Sequence, residues 1–529
     1  MAAPASRVLF LGLDGGTMAA LGPLFDRGWL PNLAALWRRS AFGTLRSTTP
    51  MVTPVAWTSF ATGCTPPVHG VHDFSYLDPH DRTIRSSHPG RVRMPHLWQV
   101  FTAAGYPVVS LGLPMTYPPP PRVRGLIIGG ADAPGFDEAF LHCPEFGAEV
   151  RARIPDFTPK LSWKRRPKRL EDLRAEAQRT RSRFRALADV AELADQRIDW
   201  GALFVHFHNL DGLQHRLWPY LVVDDTGILH PPWNAEAESC LRALDHTIGR
   251  LLELASKRDA AVIAVSDHGF GPCRALVNVN GLLRRAGLQR GLAYGTRFRY
   301  RACRLRDRFH RWRSSRASGG RVRSSSRSIE GEVGCDWRRT LAFAPYGQLA
   351  GHIFLNPSVV TNASEAEQAM RAVIAACLEA RDPETGAPLF ADAFSTAERY
   401  GLDPAAEGLP DIIAPSADGY QAMAKWSPFC TRLLRPDWEL PATHWMDGII
   451  AIDAPDLRPG GHLRAELHDL APTTLAMLGL RIPEAMQGRI LHEAFESPLP
   501  VRYDTGPAPE PAATGEALLV PIGLGGEGE

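Results

Sequence analysis

The chain holds 529 residues, 44% of them apolar and 22% charged, with a formal net charge of +2. The length exceeds what a single core usually supports, so one large domain carrying a sizeable insertion is expected. The balance is that of a soluble globular protein. It calls for neither a nucleic acid nor a membrane as partner, and no apolar run approaches the ~20 residues of a membrane span.

The first apolar run, 8–13, follows a lead too short for a signal peptide and ends on Asp14. The Gly15-Gly16 pair after it reads as a tight turn, because no GxGxxG pattern and no Lys-Ser/Thr follows. Further apolar runs at 107–113, 125–128, 202–207, 261–265, 412–414 and 448–452 are separated by helix-length amphipathic segments. Continuous apolar strands alternating with helices predict an α/β, doubly wound fold: a mostly parallel sheet with helices on both faces. Functional groups in such sheets collect at the carboxyl ends of the strands, where Asp14 and Asp267 stand. The expected catalytic domain comprises 1–141, 200–281 and 336–495. Residues 142–199 are expected as a helical insertion or cap, with a basic run at 164–169 and a charged helix from about 170 to 195. Residues 282–335 form an Arg-rich insertion, expected to be mobile and solvated, with fifteen Arg between Arg284 and Arg327. A Pro/Gly-rich tail, 496–529, is expected to be disordered. Eight widely spaced cysteines without a CxxC pair favour reduced thiols and a cytoplasmic location.

Four short segments carry the chemistry: Leu13-Asp14-Gly15, Asp211 to His215, Asp267-His268-Gly269 and Thr443-His444. Asp211 and His215 are four apart, so a helix presents both on one face. Asp267-His268 sits at a strand end, where a turn can splay adjacent side chains apart. With Thr53, these three Asp and three His make a ligand set for two divalent metal ions and suggest metal-assisted phosphoryl transfer. Carboxylate plus imidazole suits Zn2+ first and Mn2+ second. His69, His72, His206, His208, His462 and His468 read as structural or core residues. Trp57, Phe74 and Trp218 read as core before they read as stacking platforms.

The stretches LGLDGG, TPVAWTSFATGCTPPVHGVHDF, DGLQHRLW, VSDHGFGP, THWMDGIIAI and HDLAPTTLAMLGLRIPEAMQGR stand in this order between residues 7 and 495. As an ordered set they resemble the alkaline phosphatase superfamily, and within it the type I phosphodiesterase/nucleotide pyrophosphatase branch. The resemblance implies that Asp14, Thr53, Asp267 and His268 bind one ion and that Asp211, His215 and His444 bind the other. It implies Thr53 as nucleophile, forming a covalent phospho-threonine, and a phosphodiester or phosphoanhydride of nucleotide type as substrate. Phosphomonoesterase or phosphomutase chemistry is the first alternative. An inactive phosphatase fold that binds an anionic partner through the Arg-rich segment is the alternative of another class. The eukaryotic members carry Asn three residues after the nucleophile, where this chain has Ala56. The phosphate oxygen must then find another donor, with the Gly15 or Thr53 backbone N–H or a basic side chain as candidates. The expected partner is a small-molecule phosphate ester or nucleotide. A nucleic acid or an acidic surface at the Arg-rich segment is the less favoured reading.

Overall fold

The structure is a computed structural model that describes residues 5–504, except 121, 131–132, 134–142, 159–162, 164–166, 223–232, 293–326, 329–332, 425, 427–429, 431 and 436–439. Most of the Arg-rich segment, half of the basic run at 164–169 and the tail from 505 onward therefore lie outside the described residues. Two compact units emerge. The first comprises Met1–Val71, His88–Pro272 and Glu439–Glu529; the second comprises His72–Ser87 and Cys273–Trp438.

The strands of the first unit that position the site are β1 (Val8–Gly12), β2 (Ala41–Arg46), β3 (Val108–Leu111), β4 (Gly125–Ile128), β5 (Ala202–His206), β6 (Ala261–Val265), β7 (Gly269–Pro272), β8 (Ala442–Trp445), β9 (Asp447–Asp453) and β10 (His462–Glu466). The helices that matter for the site are α1 (Thr53–Thr62), α2 (Leu170–Asp195), α3 (Asn209–Leu221), α4 (Asn234–Lys257) and α5 (Leu470–Met477). Eight strands form one sheet in the order β10-β2-β9-β6-β1-β5-β3-β4. Only β9 runs against its neighbours; the other pairs are parallel. β7 and β8 form a separate antiparallel pair.

The sequences VLFLG, ALFVH and AVIAV are buried along their whole length, because alternate side chains point to opposite faces and both faces are covered. Leu9, Leu11, Leu203, Val205, Val262 and Ala264 enter one core together with Phe184 of α2 and Leu244 and Leu251 of α4. Val8, Phe10, Phe204, Ile263 and Val265 enter the other, with Phe60 of α1 and Leu475 of α5. Phe10 and Phe204 stack at 4.4 Å across the sheet. Each such side chain contributes about 1.5–3 kcal/mol by leaving water. The expected doubly wound α/β fold is the observed one. In register, Gly12 lies opposite both His206 and Val265, so three neighbouring strands end level and their following residues emerge together.

α2 belongs to this unit. Its buried residues Leu173, Ala177, Thr180, Phe184, Leu187, Ala191 and Ala194 recur at three- and four-residue steps. The segment expected as a cap thus supplies a helix that covers the sheet. The second unit has its own antiparallel four-stranded sheet, in the order Ala342–Phe343, Ala350–Leu355, Ile412–Pro415, Phe394–Ser395. Its core gathers Val277, Ile353, Val373, Leu389 and Ile412. The 412–414 run, grouped above with the central sheet, pairs here instead, and residues 336–438 fall in this unit. The reason is that Ile412 and Ile413 find antiparallel partners in Ile353 and His352; a short apolar run does not by itself say which sheet it joins.

No helix among the described residues is long and apolar enough to cross a membrane. Cys64, Cys240 and Cys377 are buried free thiols. Burial pushes them up to about 11 at Cys64 and about 12 at the other two.

Candidate active site

Four pieces of backbone bring the polar residues to one place at the carboxyl ends of β1, β5 and β6. Asp14 follows β1 on a turn whose Gly15 has φ +68. A Cβ on Gly15 would lie 2.5 Å from the Phe270 ring, so only glycine fits the turn. Gly15→Ala is expected to cost roughly 1–3 kcal/mol through strain and overpacking and to lower metal content through a displaced Asp14. Thermal melts and metal analysis of the variant would check both. The Gly15 N–H donates to Asp267 Oδ1 at 3.1 Å, and the Gln214 amide donates to the Gly15 carbonyl at 2.9 Å. Ser47 Oγ donates to the Asp267 carbonyl at 2.6 Å, which fixes the backbone at the end of β6. Asp211 opens α3 and His215 follows one turn later on the same face. His444 comes from β8, opposite Phe270 of β7.

The imidazoles share one orienting device. His215 Nδ1 donates to the Ala442 carbonyl at 2.9 Å, His268 Nδ1 to Gly269 at 3.0 Å and His444 Nδ1 to Met51 at 3.0 Å. A carbonyl only accepts, so the ring proton sits on Nδ1 and each Nε2 of the neutral ring carries a lone pair. Those Nε2 atoms face carboxylate oxygens and one another. His444 and His215 Nε2 lie 3.1 and 3.3 Å from Asp211 Oδ1, and 3.1 Å from each other. His268 Nε2 lies 3.3 Å from Asp267 Oδ2 and 3.6 Å from Asp14 Oδ1. The His268 and His444 rings stack at 3.5 Å. Asp14 Oδ1, Asp267 Oδ2 and His268 Nε2 are buried without a hydrogen-bond partner. Acceptors packed against acceptors in a buried site are costly unless a cation or a proton lies between them. Backbone-oriented imidazoles with converging carboxylates are the usual surroundings of zinc-class ions. The residues fit two such ions.

The electrostatics agree. Burial opposes ionisation of Asp14, yet the neighbouring His208 and His206 rings hold its carboxyl well below the usual range. Asp211 is likewise lowered, with burial opposed by His215 and His444. Asp267 moves the other way: burial and the Asp14 charge push it well above the usual carboxylate value. Burial, then His444, pushes His268 down to about 3. Three buried carboxylates cannot all ionise side by side without added positive charge.

Ligand atoms of Asp211, His215 and His444 lie within 4.8 Å of one another, as do those of Asp14, Asp211 and His268. The six expected Asp and His side chains are therefore brought together, with Asp211 in reach of both sets. Thr53 begins α1, with Pro54 in the first turn and Gly63 (φ 66) closing it. It is 4% exposed, and the Met51–His444 hydrogen bond ties its segment to the cluster. The neighbouring hydroxyls are occupied: Thr48 donates to Pro50 at 2.8 Å and Thr58 to Pro54 at 2.6 Å. Of the two N–H groups expected for a phosphate oxygen, that of Gly15 is spent on Asp267, which leaves the Thr53 N–H beside the third candidate, a basic side chain. His69 is structural. Val71 N–H donates to its Nδ1 at 3.2 Å, so its Nε2–H faces Ser59 Oγ at 2.9 Å. Trp57 is core, edge-on to Phe60 and His206.

Two residues read above as core belong to the cluster. His206 Nε2 lies 3.2 Å from Asp14 Oδ2, and His208 Nδ1 contacts the same oxygen. The signal for them was their place, at the end of β5 and just ahead of Asp211.

A family model described as Type I phosphodiesterase / nucleotide pyrophosphatase matches residues 8–448. No curated protein matches the chain. Among solved structures, phosphonoacetate hydrolase from Sinorhizobium meliloti 1021, in complex with phosphonoacetate, superposes with a TM-score of 0.54 at 16% identity, over 90% of this chain and 96% of that one. Human ectonucleotide pyrophosphatase / phosphodiesterase 5 superposes with a TM-score of 0.51 at 12% identity, over 93% of this chain and all of the other. At these identities the likeness is one of fold.

Proposed function

The chain belongs to the type I phosphodiesterase / nucleotide pyrophosphatase family of the alkaline phosphatase superfamily, and on that premise we propose that it is a two-metal phosphoesterase. Its substrates are phosphodiesters or phosphoanhydrides of nucleotide type, and Thr53 is its nucleophile. The observation that carries this reading is the convergence of three buried carboxylates, Asp14, Asp211 and Asp267, on the Nε2 atoms of His215, His268 and His444, with Asp14 Oδ1, Asp267 Oδ2 and His268 Nε2 left without a hydrogen-bond partner.

Asp14, Thr53, Asp267 and His268 would hold one ion, and Asp211, His215 and His444 the other, zinc before manganese. Bound there, the ions supply charge neutralisation at phosphorus and a lowered pKa for a coordinated hydroxyl. The chain's own groups do the positioning. α1 fixes the Thr53 oxygen at a helix start, beside a backbone N–H that can donate to a phosphate oxygen. The hydroxyl attacks phosphorus in line and the leaving oxygen departs. Water then hydrolyses the threonine-bound phosphoryl ester, which restores the hydroxyl and releases the phosphate monoester that keeps the second substituent. Phosphoryl transfer needs placement and charge more than a dedicated acid–base pair, so the reading calls for none. The buried free thiols support a reducing, cytoplasmic setting.

Hydrolysis of bis-(p-nitrophenyl) phosphate against p-nitrophenyl phosphate, with zinc or manganese and after chelation, tests the reading. Diester preference that disappears on chelation is expected. Monoester preference would move the protein to the phosphatase or mutase alternative, and activity that survives chelation would overturn the metal assignment. Phosphonoacetate joins the panel because a solved structure of similar fold is a phosphonoacetate hydrolase.

A further inference from the structure

We propose that Asp14, His206 and His208 form a third divalent-cation site, of zinc class, separate from the ion pair and sharing only Asp14 with it. The proposal rests on the two-ion reading for the role of Asp14 and on its own geometry for the rest.

Asp14 turns its two oxygens to different histidines. Oδ1 faces His268, whereas Oδ2 lies 3.2 Å from His206 Nε2 and touches His208 Nδ1. Ligand atoms of Asp14, His206 and His208 all lie within 4.8 Å of one another. His206 repeats the device seen at His215, His268 and His444: its Nδ1 donates to a backbone carbonyl, Gly112, at 2.9 Å. The neutral ring then aims an Nε2 lone pair at a carboxylate oxygen. That atom is fully buried and has no hydrogen-bond partner, so a lone pair meets a lone pair as it does in the pair site. A bound cation removes the conflict by accepting from both.

Two further features fit a cation here. A Cβ on Gly12 would sit 3.0 Å from the His206 ring and 2.8 Å from Trp57, so the ring is wedged in one orientation by its neighbours. Beside the triad lies a cavity of about 40 Å³ lined by His206, His208, Asn209, Thr158 and Arg183, the last donating to Asn209 Oδ1. That is room for water to complete a four-coordinate shell, since a site needs roughly 10–15 Å³ per water. The His-x-His spacing at the end of β5 supplies both nitrogens from one short segment. An ion on Oδ2 would hold Asp14 ionised and fix the direction in which Oδ1 points. His206 and His208 are positioning residues in this scheme, since they act through Asp14.

The test uses the full-length chain loaded with zinc chloride, freed of excess metal, and assayed by inductively coupled plasma mass spectrometry. Wild type, His206→Gln, His208→Gln and Asp211→Asn are compared, with circular dichroism to confirm folding. Three ions per chain are expected in the wild type, two in either histidine variant, and a retained third-site ion in Asp211→Asn. Two ions in both the wild type and His206→Gln would overturn the proposal and leave the pair intact, with the histidines as hydrogen-bond partners of Asp14. A single ion lost in His206→Gln and kept in Asp211→Asn would uphold the third site and overturn the pair. No bound ion would overturn both. Anomalous scattering at the zinc edge from wild-type crystals needs no variant. A peak between Asp14 Oδ2, His206 Nε2 and His208 Nδ1 is expected, and its absence beside a filled pair would refute the site.

Discussion

Thr53→Ala should lower kcat by a factor on the order of 10⁴–10⁶, the scale seen when a catalytic nucleophile is removed, while both ions of the pair stay bound. The expectation follows from where hydroxyl protons go. Thr48 and Thr58 spend theirs on the carbonyls of Pro50 and Pro54, so neither oxygen is free to turn toward phosphorus without giving up a buried hydrogen bond. Thr53 stands at the first residue of α1, where the chain bends toward His444 through the Met51 carbonyl. Thr53→Ser keeps the oxygen and should retain part of the turnover. Thr48→Ala and Thr58→Ala should cost about 1 kcal/mol of stability each and leave the nucleophile in place. Steady-state kinetics on bis-(p-nitrophenyl) phosphate, with metal analysis of every variant, separates these cases. Full activity in Thr53→Ala would remove Thr53 from its role.

Much of this was legible in the chain itself, and the reasons are local. The runs VLFLG, ALFVH and AVIAV carry no polar residue before their last position, which only a sheet covered on both faces requires. Asp211 and His215 declare themselves by helical spacing, and Asp267-His268 by its place after a strand. The pairing of strands did not show. Ile412 to Ala414 reads like a central strand, and its antiparallel partner lies some sixty residues earlier in a second sheet. Residues 41–46 and 462–466 alternate buried and less buried positions, a weaker pattern than a continuous apolar run, and they complete the sheet beside β9. His206 and His208 stayed hidden for a related reason. Their role depends on strand register, Gly12 opposite His206, and register is a long-range property that no single segment encodes.

Asp267→Asn should pull metal binding and fold stability in opposite directions. Asp267 is the carboxylate that burial and the Asp14 charge push well above its ordinary pKa, so in the metal-free protein its ionised form is disfavoured. A group with a raised folded-state pKa gives its full stabilisation below its unfolded value, about 4, and loses it as pH rises through the folded value. Asparagine imitates the protonated carboxyl at every pH. It keeps an oxygen to accept from Gly15 N–H, the 3.1 Å bond that holds the Asp14 turn. After chelation the variant should therefore match the wild type near pH 4 and exceed it at neutral pH by about 1–3 kcal/mol, the usual cost of an unsatisfied buried polar group. That corresponds to a rise of a few degrees in Tm. With metal present the order should reverse. The amide offers a weaker, neutral ligand, one ion should be lost or loosened, and kcat/KM should fall by about two orders of magnitude or more, the scale on which removing one charge-stabilising group acts. Paired melts with and without chelator, across pH 4 to pH 8, give the sign directly. A metal-free variant less stable than metal-free wild type at neutral pH would mean that Asp267 is ionised there and already balanced by charge within the protein.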